Sequence, residues 1–153
     1  MSDCCTPEEQ VFVKSGSGLC PSCNTKGKKV KIITLKSLLR PLALEAISPD
    51  ESHYFCTTKE CDAVYFESTN KTYLISDLKV SVHQKDDSVT TPICYCFDWT
   101  KEKIEKYIKQ ELSPNPLEHI KENVQADRCG CEVNNPQGSC CMGNVTKYIK
   151  SLS

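Results

Sequence analysis

The sequence has little of what nucleic-acid binding, membrane insertion or secretion requires. Its 19 basic and 20 acidic residues leave a formal net charge of −1, so no positive field attracts phosphate backbones. No stretch approaches the ~18–20 apolar residues of a membrane span. The N-terminus, MSDCCTPEEQ, has neither the basic nor the apolar region of a signal peptide. We therefore expect a cytoplasmic protein with no membrane span and no nucleic-acid partner.

Apolar residues are also scarce for a chain that must fold around a single large core. Of its 153 residues, 39% are hydrophobic, and this length fits one domain or two small ones. What the sequence does have is cysteine, with 12 residues. Metal binding is favoured over disulfides, because disulfides persist in oxidising compartments and close C-x-x-C or C-x-C pairs suit one metal centre better than a loop-closing bridge.

The part of the chain before residue 85 is rich in β-branched and aromatic residues. This composition predicts four strands, with a hairpin turn at STNK, at 30–34, 53–57, 63–68 and 72–78. A short helix is predicted from Leu35 to about Ile47, with Thr34 as its cap and Pro41 restricting its continuity. The polar stretch 85–92 resembles a linker.

After this stretch the apolar residues recur at helical spacing. Thr100 or Asp98 can cap a first helix, and Asn115 with Pro116 predicts the start of a second. A last helix is predicted around Val145 to Leu152. We expect an α+β fold, with a strand-rich, zinc-ribbon-like part at residues 1–90 followed by a helical part at residues 91–153.

The first set of cysteines consists of two close pairs separated by a β-rich segment. This pattern is typical of a zinc ribbon, in which four thiolates close a tetrahedral site, and the predicted zinc ligands are Cys20, Cys23, Cys56 and Cys61. Such a site has no open coordination position, so we expect it to be structural. Buried free cysteines are the alternative.

The second set has six candidate thiols: Cys94, Cys96, Cys129, Cys131, Cys140 and Cys141. Four cysteine thiolates hold an iron-sulfur cluster, and helix N-termini together with small glycines would stabilise the anionic cluster and let backbone approach it. Cys94 and Cys96 are the clearest ligands. Adjacent Cys140 and Cys141 point in different directions, so we expect one of them to bind, and the same argument applies more weakly to Cys129 and Cys131.

Four segments carry a resemblance to a known family: CPSCNTKGKKVKIITLKSLLRP, YFCTTKECDAVYF, CYCFDWTKEKI and CGCEVNNPQGSCCMGNV. They resemble the N-terminal metal-binding domain of the CopZ family of copper chaperones. The resemblance implies one zinc ion and one 2Fe-2S cluster, with Cys131 and Cys141 completing the cluster ligands and Cys129 and Cys140 as alternates. A more distant similarity links CYCF and the helices after it to the bacterioferritin-associated ferredoxin group.

In typical members this domain precedes a domain that delivers Cu(I) to an exporting ATPase. The chain ends at Ser153 without an M-x-C-x-x-C loop, so we expect the zinc and cluster module, an electron-transfer or metal-handling protein rather than an enzyme. Its expected partners are a copper-transporting ATPase, a copper chaperone domain or a redox partner. One alternative is a Cu(I) chaperone or metal sensor in which the cluster only supports the fold. Another is an interaction module with two zinc sites.

Other residues that can bind metal have a simpler interpretation. The three histidines, His53, His83 and His119, are isolated from the cysteine motifs, and ordinary surface or strand positions are favoured. Cys4 and Cys5 fit a mobile terminus better than a metal site. Tyr95 and Trp99 are expected in the core beside the cluster. The lysines of the first predicted helix are expected on a solvated face, at Lys101, Lys103, Lys106 and Lys109.

Overall fold

The structure of the protein is a computed structural model that describes residues 18–152. The strands are β1 Lys28–Val30, β2 His53–Phe55, β3 Ala63–Glu67, β4 Thr72–Leu74, β5 Pro92–Cys94 and β6 Trp99–Thr100. The helices are α1 Ile32–Leu38, α2 Pro41–Leu44, α3 Lys101–Lys109, α4 Pro116–Gln125, α5 Cys131–Asn134 and α6 Met142–Ser151. This arrangement confirms the predicted α+β class, and Cys4 and Cys5 lie outside the described residues.

The first four strands form one antiparallel sheet in chain order. β3 is buried along its whole length, as expected for a run of apolar, β-branched and aromatic residues in the middle of a sheet. The predicted hairpin turn joins β3 and β4, and Asn70 within it has a φ of 74°. Asparagine tolerates this left-handed conformation better than most residues do.

Three predictions for the first half are wrong in their extent. The strand expected at 30–34 ends at Val30, and the chain continues directly into α1. The helix expected from Leu35 to Ile47 is divided into α1 and α2, because Pro41 forces the residue before it out of the helical region. The strand expected at 72–78 stops at Leu74, where a 3-10 turn begins.

α3 and α4 begin where the sequence predicts, whereas the last helix, predicted around Val145 to Leu152, begins three residues earlier at Met142. Thr100 caps α3 by accepting a hydrogen bond of 3.1 Å from the Lys103 amide. Asn115 caps α4 through its side-chain oxygen, with Pro116 as the first helical residue. The short helix α5 was not predicted, since the sequence indicated a loop there.

The described residues form separate apolar clusters in the two halves. One is built on Leu35, Phe55 and Tyr65, and another on Trp99, Ile104 and Ile120. The expected boundary between residues 90 and 91 lies between these clusters in sequence and stays a prediction. The predicted linker is hydrogen-bonded, because the Thr91 hydroxyl donates to the Asp86 carboxylate at 3.1 Å. Within residues 18–152, no helix is long and apolar enough to cross a membrane.

Candidate metal centres

The four cysteines of the first set converge on one point. Their sulfur atoms all lie within 4.8 Å of one another, with Cys20 and Cys61 3.9 Å apart and Cys23 and Cys56 3.6 Å apart. Four thiolates placed tetrahedrally around zinc at ~2.3 Å are about 3.8 Å from one another. The spacing and chemistry of these donors therefore fit one zinc ion.

Tight turns produce this convergence. The Asn24 amide donates to the Cys20 carbonyl at 2.7 Å, and a left-handed φ of 62° at Asn24 closes the first turn. Cys56 directly follows β2, and the Cys61 amide donates to the Thr58 carbonyl at 3.3 Å. The two cysteine pairs thus face each other from a loop and from the end of the sheet.

The thiols of this site differ in acidity. Burial raises the pKa of Cys20 to about 12. The Thr58 hydroxyl, 3.3 Å from the Cys23 sulfur, lowers the pKa of Cys23 to about 6. Since metals bind the thiolate, Cys23 is deprotonated more easily than Cys20 and Cys61, whose pKa values burial raises.

Lys85 supports this site from outside the cysteine motifs. Its ammonium group donates to the carbonyls of Thr58 at 2.5 Å and Cys61 at 3.0 Å. Both carbonyls belong to the turn that carries the second cysteine pair. No motif in the sequence singles out Lys85, which lies in the stretch predicted to be a linker.

The structure also brings together the four favoured thiols of the second set. Cys96 and Cys131 have sulfur atoms 3.6 Å apart. Cys141 lies close enough to Cys94 and to Cys131 to lower the pKa of each thiol. The sulfurs therefore form a connected series, Cys94 to Cys141 to Cys131 to Cys96. These four thiolate donors fit the ligand set of an iron-sulfur cluster.

Each of these ligands is held by a different part of the second half. Cys94 ends β5, and Cys96 lies in the turn between β5 and β6. Cys131 is the first residue of α5, and Cys141 immediately precedes α6. α3 begins five residues after Cys96, so the long helix that starts at a ligand is α6.

The remaining two thiols of the set lie at its edge. Cys140 is exposed and Cys129 is half-buried, whereas Cys94 and Cys141 are buried. Cys129 also hydrogen-bonds to Cys131. Adjacent Cys140 and Cys141 thus point in different directions, as the sequence predicts. Cys141, which is buried, lies among the other thiols of the set.

Two sulfurs in this site favour the charged form. Contact with Cys141 lowers the pKa of Cys131 to about 6 and also lowers the pKa of Cys94. The pKa of Cys141 is raised well above its ordinary value by these two neighbours and by burial. Of these three thiols, Cys94 and Cys131 therefore lose their protons more readily than Cys141.

Two N–H groups point at Cys96. The Gly130 amide donates to its sulfur at 3.2 Å, and the Asn134 side-chain amide donates at 3.6 Å. Such N–H···S bonds stabilise negative charge on a cluster ligand. The sequence pointed to Gly130 as a small residue but not to Asn134.

The loop between Cys131 and Cys141 is fixed by buried amides that sequence reasoning missed. Asn135 is 2% exposed and Gln137 8% exposed. The Asn135 side chain donates to the Ser139 carbonyl at 3.1 Å and accepts from the Gln137 backbone amide at 3.1 Å. The composition NNPQG indicates a turn-rich loop but not that its polar side chains are buried.

The histidines lie apart from both sets of thiols. His53 lies in β2 and is 3.2 Å from the Glu67 carboxylate, and His119 in α4 accepts from the Trp99 indole at 3.0 Å. His83 lies in a 3-10 turn. Trp99 is 1% exposed, as expected of a core residue, whereas Tyr95 is half-buried.

The lysines of α3 make local contacts. The Lys109 ammonium is 2.7 Å from Glu105 one turn earlier, and Lys103 lies 4.6 Å from the centre of the Trp99 ring. Lys101 donates to the Asp86 carbonyl at 3.2 Å. Lys106 is exposed. The face predicted to be solvated therefore includes contacts to the ring of Trp99 and to the segment before β5.

Comparisons with known proteins match this arrangement. Residues 17–79 match the family model zf_CopZ, a zinc binding domain. The fold is similar to the X-ray structure of the Archaeoglobus fulgidus CopZ N-terminal domain, with a TM-score of 0.69 and 24% sequence identity. The similarity covers 84% of this chain and 95% of that one. No curated protein sequence matches the chain.

The two comparisons cover different parts of the molecule. The family match ends at residue 79 and so includes all four cysteines of the first set. The structural similarity extends over most of the chain and establishes the fold. The first half thus matches the model of a zinc-binding domain and contains a four-cysteine site able to hold a metal, and the CopZ resemblance seen in the sequence is confirmed.

Proposed function

We propose that this protein is a zinc- and 2Fe-2S-binding protein that transfers single electrons in copper handling, a proposal supported by the match of residues 17–79 to the CopZ zinc-binding domain model. The proposed zinc ligands are Cys20, Cys23, Cys56 and Cys61. The proposed cluster ligands are Cys94, Cys96, Cys131 and Cys141. In this proposal zinc stabilises the fold, and the cluster carries the function.

The observation that carries the proposal is the shape of the second set of thiols. The first set is compact, with every sulfur within 4.8 Å of the others, and suits one ion. The second set is a connected series with Cys94 and Cys96 at its ends, joined through Cys141 and Cys131. A ligand set extended in this way suits a cluster of two iron atoms, each of which needs two protein thiolates.

A bound 2Fe-2S cluster would supply one-electron redox chemistry. The burial of the four ligand residues determines from which side a redox partner can approach the cluster. Cys94 and Cys141 are buried, whereas Cys96 and Cys131 are half-buried. An electron donor or acceptor therefore approaches from the side of Cys96 and Cys131, where the cluster would be nearest the surface.

Copper is proposed as the electron acceptor, in keeping with the family resemblance. A reduced cluster held by these four cysteines would supply the one electron that converts Cu(II) to Cu(I), which thiolates bind well. Mixing the reduced protein with Cu(II) is expected to reoxidise the cluster and yield one thiolate-bound Cu(I) per electron lost. The oxidised protein is the control. A reduced cluster that stays reduced in the presence of Cu(II) would contradict this role.

A second candidate function is Cu(I) chaperoning or sensing, with the cluster only supporting the fold. It is favoured by the accessibility of Cys140 and Cys129, two thiols beside the cluster ligands that the cluster does not require. Tight Cu(I) binding by the as-isolated protein, lost in a Cys129→Ser, Cys140→Ser double variant, would support it. The proposed partners are then a copper-transporting ATPase or a copper chaperone domain, rather than a redox partner.

A further inference from the structure

Gln137 is a buried amide in the loop that precedes Cys141. Its side-chain nitrogen lies 2.9 Å from the Cys140 carbonyl and 3.2 Å from the Ser139 carbonyl. Its side-chain oxygen accepts from Asn144 in α6 at 2.8 Å. Gln137 therefore connects the backbone just before Cys141 with a side chain of the helix that begins just after it.

The same side-chain oxygen reaches the other half of the chain. It accepts a hydrogen bond of 2.6 Å from the Gln84 side chain. Gln84 belongs to the 3-10 turn His83–Lys85. The backbone amide of His83, the preceding residue, donates to the Tyr95 hydroxyl at 2.9 Å, and Tyr95 stands between Cys94 and Cys96. This turn thus contacts both segments that supply cluster ligands.

The third residue of the turn contacts the zinc site. Lys85 donates to the carbonyls of Thr58 and Cys61. Cys61 is a proposed zinc ligand, and the Thr58 hydroxyl is 3.3 Å from the sulfur of Cys23, another one. Binding of a structural metal orders the loops that carry its ligands. The position of Lys85 therefore depends on a loop that zinc orders.

We propose that Gln137 is the positioning residue for Cys141, and that the His83–Lys85 turn links the zinc site to it through Lys85 and Gln84. The inference rests on the proposed function, because it assigns to zinc the task of keeping cluster ligands in place. Coupling between two binding sites is reciprocal. Zinc should strengthen binding of the cluster, and the cluster should strengthen binding of zinc by the same free energy, so each should also slow the loss of the other.

The test is a double-mutant cycle on the full chain, purified anaerobically. Cluster loss under an iron chelator is followed by visible absorbance in wild type, in Cys23→Ser, in Gln84→Met and in the variant with both changes. Methionine keeps the length of glutamine but cannot hydrogen-bond. We expect Cys23→Ser to accelerate cluster loss at least about fivefold, the lower end of typical coupling. In the Gln84→Met background, Cys23→Ser should accelerate cluster loss little beyond the rate of Gln84→Met alone.

A second arm keeps the test decisive if Cys23→Ser does not fold. Release of zinc to a coloured indicator is measured with Cys141→Ser in place of Cys23→Ser. Wild type should release zinc more slowly than Cys141→Ser, and Gln84→Met should remove most of this difference. Gln125→Met is the matched control, since Gln125 is exposed on α4, and it should behave as wild type in both arms.

Gln137→Met adds a readout that is specific to positioning. It should change the visible circular dichroism of the cluster while leaving zinc content unchanged. Effects of Gln84→Met that simply add to those of Cys23→Ser or Cys141→Ser would overturn the link. A wild-type protein that holds zinc but never a cluster would overturn the proposed function instead, so the two failures are distinguishable.

Discussion

The sulfur atoms of Cys96 and Cys131 lie 3.6 Å apart although 35 residues separate them in the chain. No local turn produces this contact. It depends on the β5–β6 turn, which presents Cys96, and on the start of α5, which presents Cys131. The proximity is a property of the whole second half, and it places the two half-buried ligands on the same side of the proposed cluster.

Serine at a cluster ligand should remove the cluster or change its spectrum. We expect this for Cys94, Cys96, Cys131 and Cys141, because a serine oxygen is a harder, less easily deprotonated donor than a thiolate. Iron content and visible absorbance of the anaerobically purified variants are the measurements. Cys129→Ser and Cys140→Ser are the matched controls and should retain two irons per chain. The reverse pattern would show that the alternate thiols are the ligands.

Replacing two zinc ligands should unfold the first half. The Cys20→Ser, Cys23→Ser double variant loses a metal whose apparent binding energy in small zinc domains is about 10–16 kcal/mol. This loss is as large as the whole stability of a typical protein, about 5–15 kcal/mol. Zinc content and far-ultraviolet circular dichroism are the readouts, with Cys129→Ser as the control. A folded, zinc-loaded double variant would refute the assignment of this site.

The side-chain amide of Asn134 should raise the reduction potential of the cluster. Its hydrogen bond to the Cys96 sulfur stabilises the reduced form more, because that form carries one more negative charge. Asn134→Leu keeps the size of the side chain but removes the donor, so the potential should fall. A shift of about 59 mV corresponds to tenfold in a one-electron equilibrium, and we expect about this much or less.

Gly130→Ala tests the same hydrogen bond from the other side. A Cβ at residue 130 would lie 3.3 Å from the Asn134 side-chain nitrogen, closer than a comfortable contact. The amide should move away from Cys96, and the potential should fall in the same direction as in Asn134→Leu. Combining both changes should add little to either alone. An unchanged reduction potential in both variants would show that the Asn134 hydrogen bond does not raise the potential of the cluster.

Glu67 should stabilise the sheet in a pH-dependent way. Burial alone would raise its pKa, but hydrogen bonds from Tyr73 and Ser48, with His53 beside it, lower it. The stabilisation is therefore present above the unfolded pKa of ~4.3 and is lost as pH falls through the lower folded value. Glu67→Leu leaves these donors unpaired and should cost about 3 kcal/mol at neutral pH.

The measurement for Glu67 is the free energy of unfolding of wild type and variant across a pH series. The difference between the two proteins should be constant near neutrality and should shrink below pH ~4. Glu118→Leu is a control of the same chemistry, since Glu118 is exposed in α4. A difference that does not depend on pH would show that the Glu67 carboxylate contributes through packing alone.

The sequence predicts best the features that depend on local chemistry. Thr100 and Asn115 cap α3 and α4 as expected, because capping involves residues two or three positions apart. The cysteine pairs predicted the zinc site for a similar reason, since each pair is held by one tight turn. The β-branched run Ile32–Thr34 led to a wrong strand prediction, because packing in α1 overrides its strand propensity.

The residues that connect the two sites could not be predicted. Lys85, Gln84 and Gln137 are polar residues in segments that resemble ordinary loops. Their roles depend on contacts between positions far apart in the chain, such as the 53 residues that separate Gln84 from Gln137. Propensity and spacing contain no information about such contacts, so only the folded arrangement shows them.

The central claim is that the second set of thiols holds a 2Fe-2S cluster while the first holds zinc. Metal and sulfide analysis of the anaerobically purified protein, combined with electron paramagnetic resonance before and after reduction, tests it most directly. We predict one zinc, two irons and two acid-labile sulfides per chain, with a signal that appears only on one-electron reduction. A colourless protein with zinc in both sites and no iron would contradict the claim.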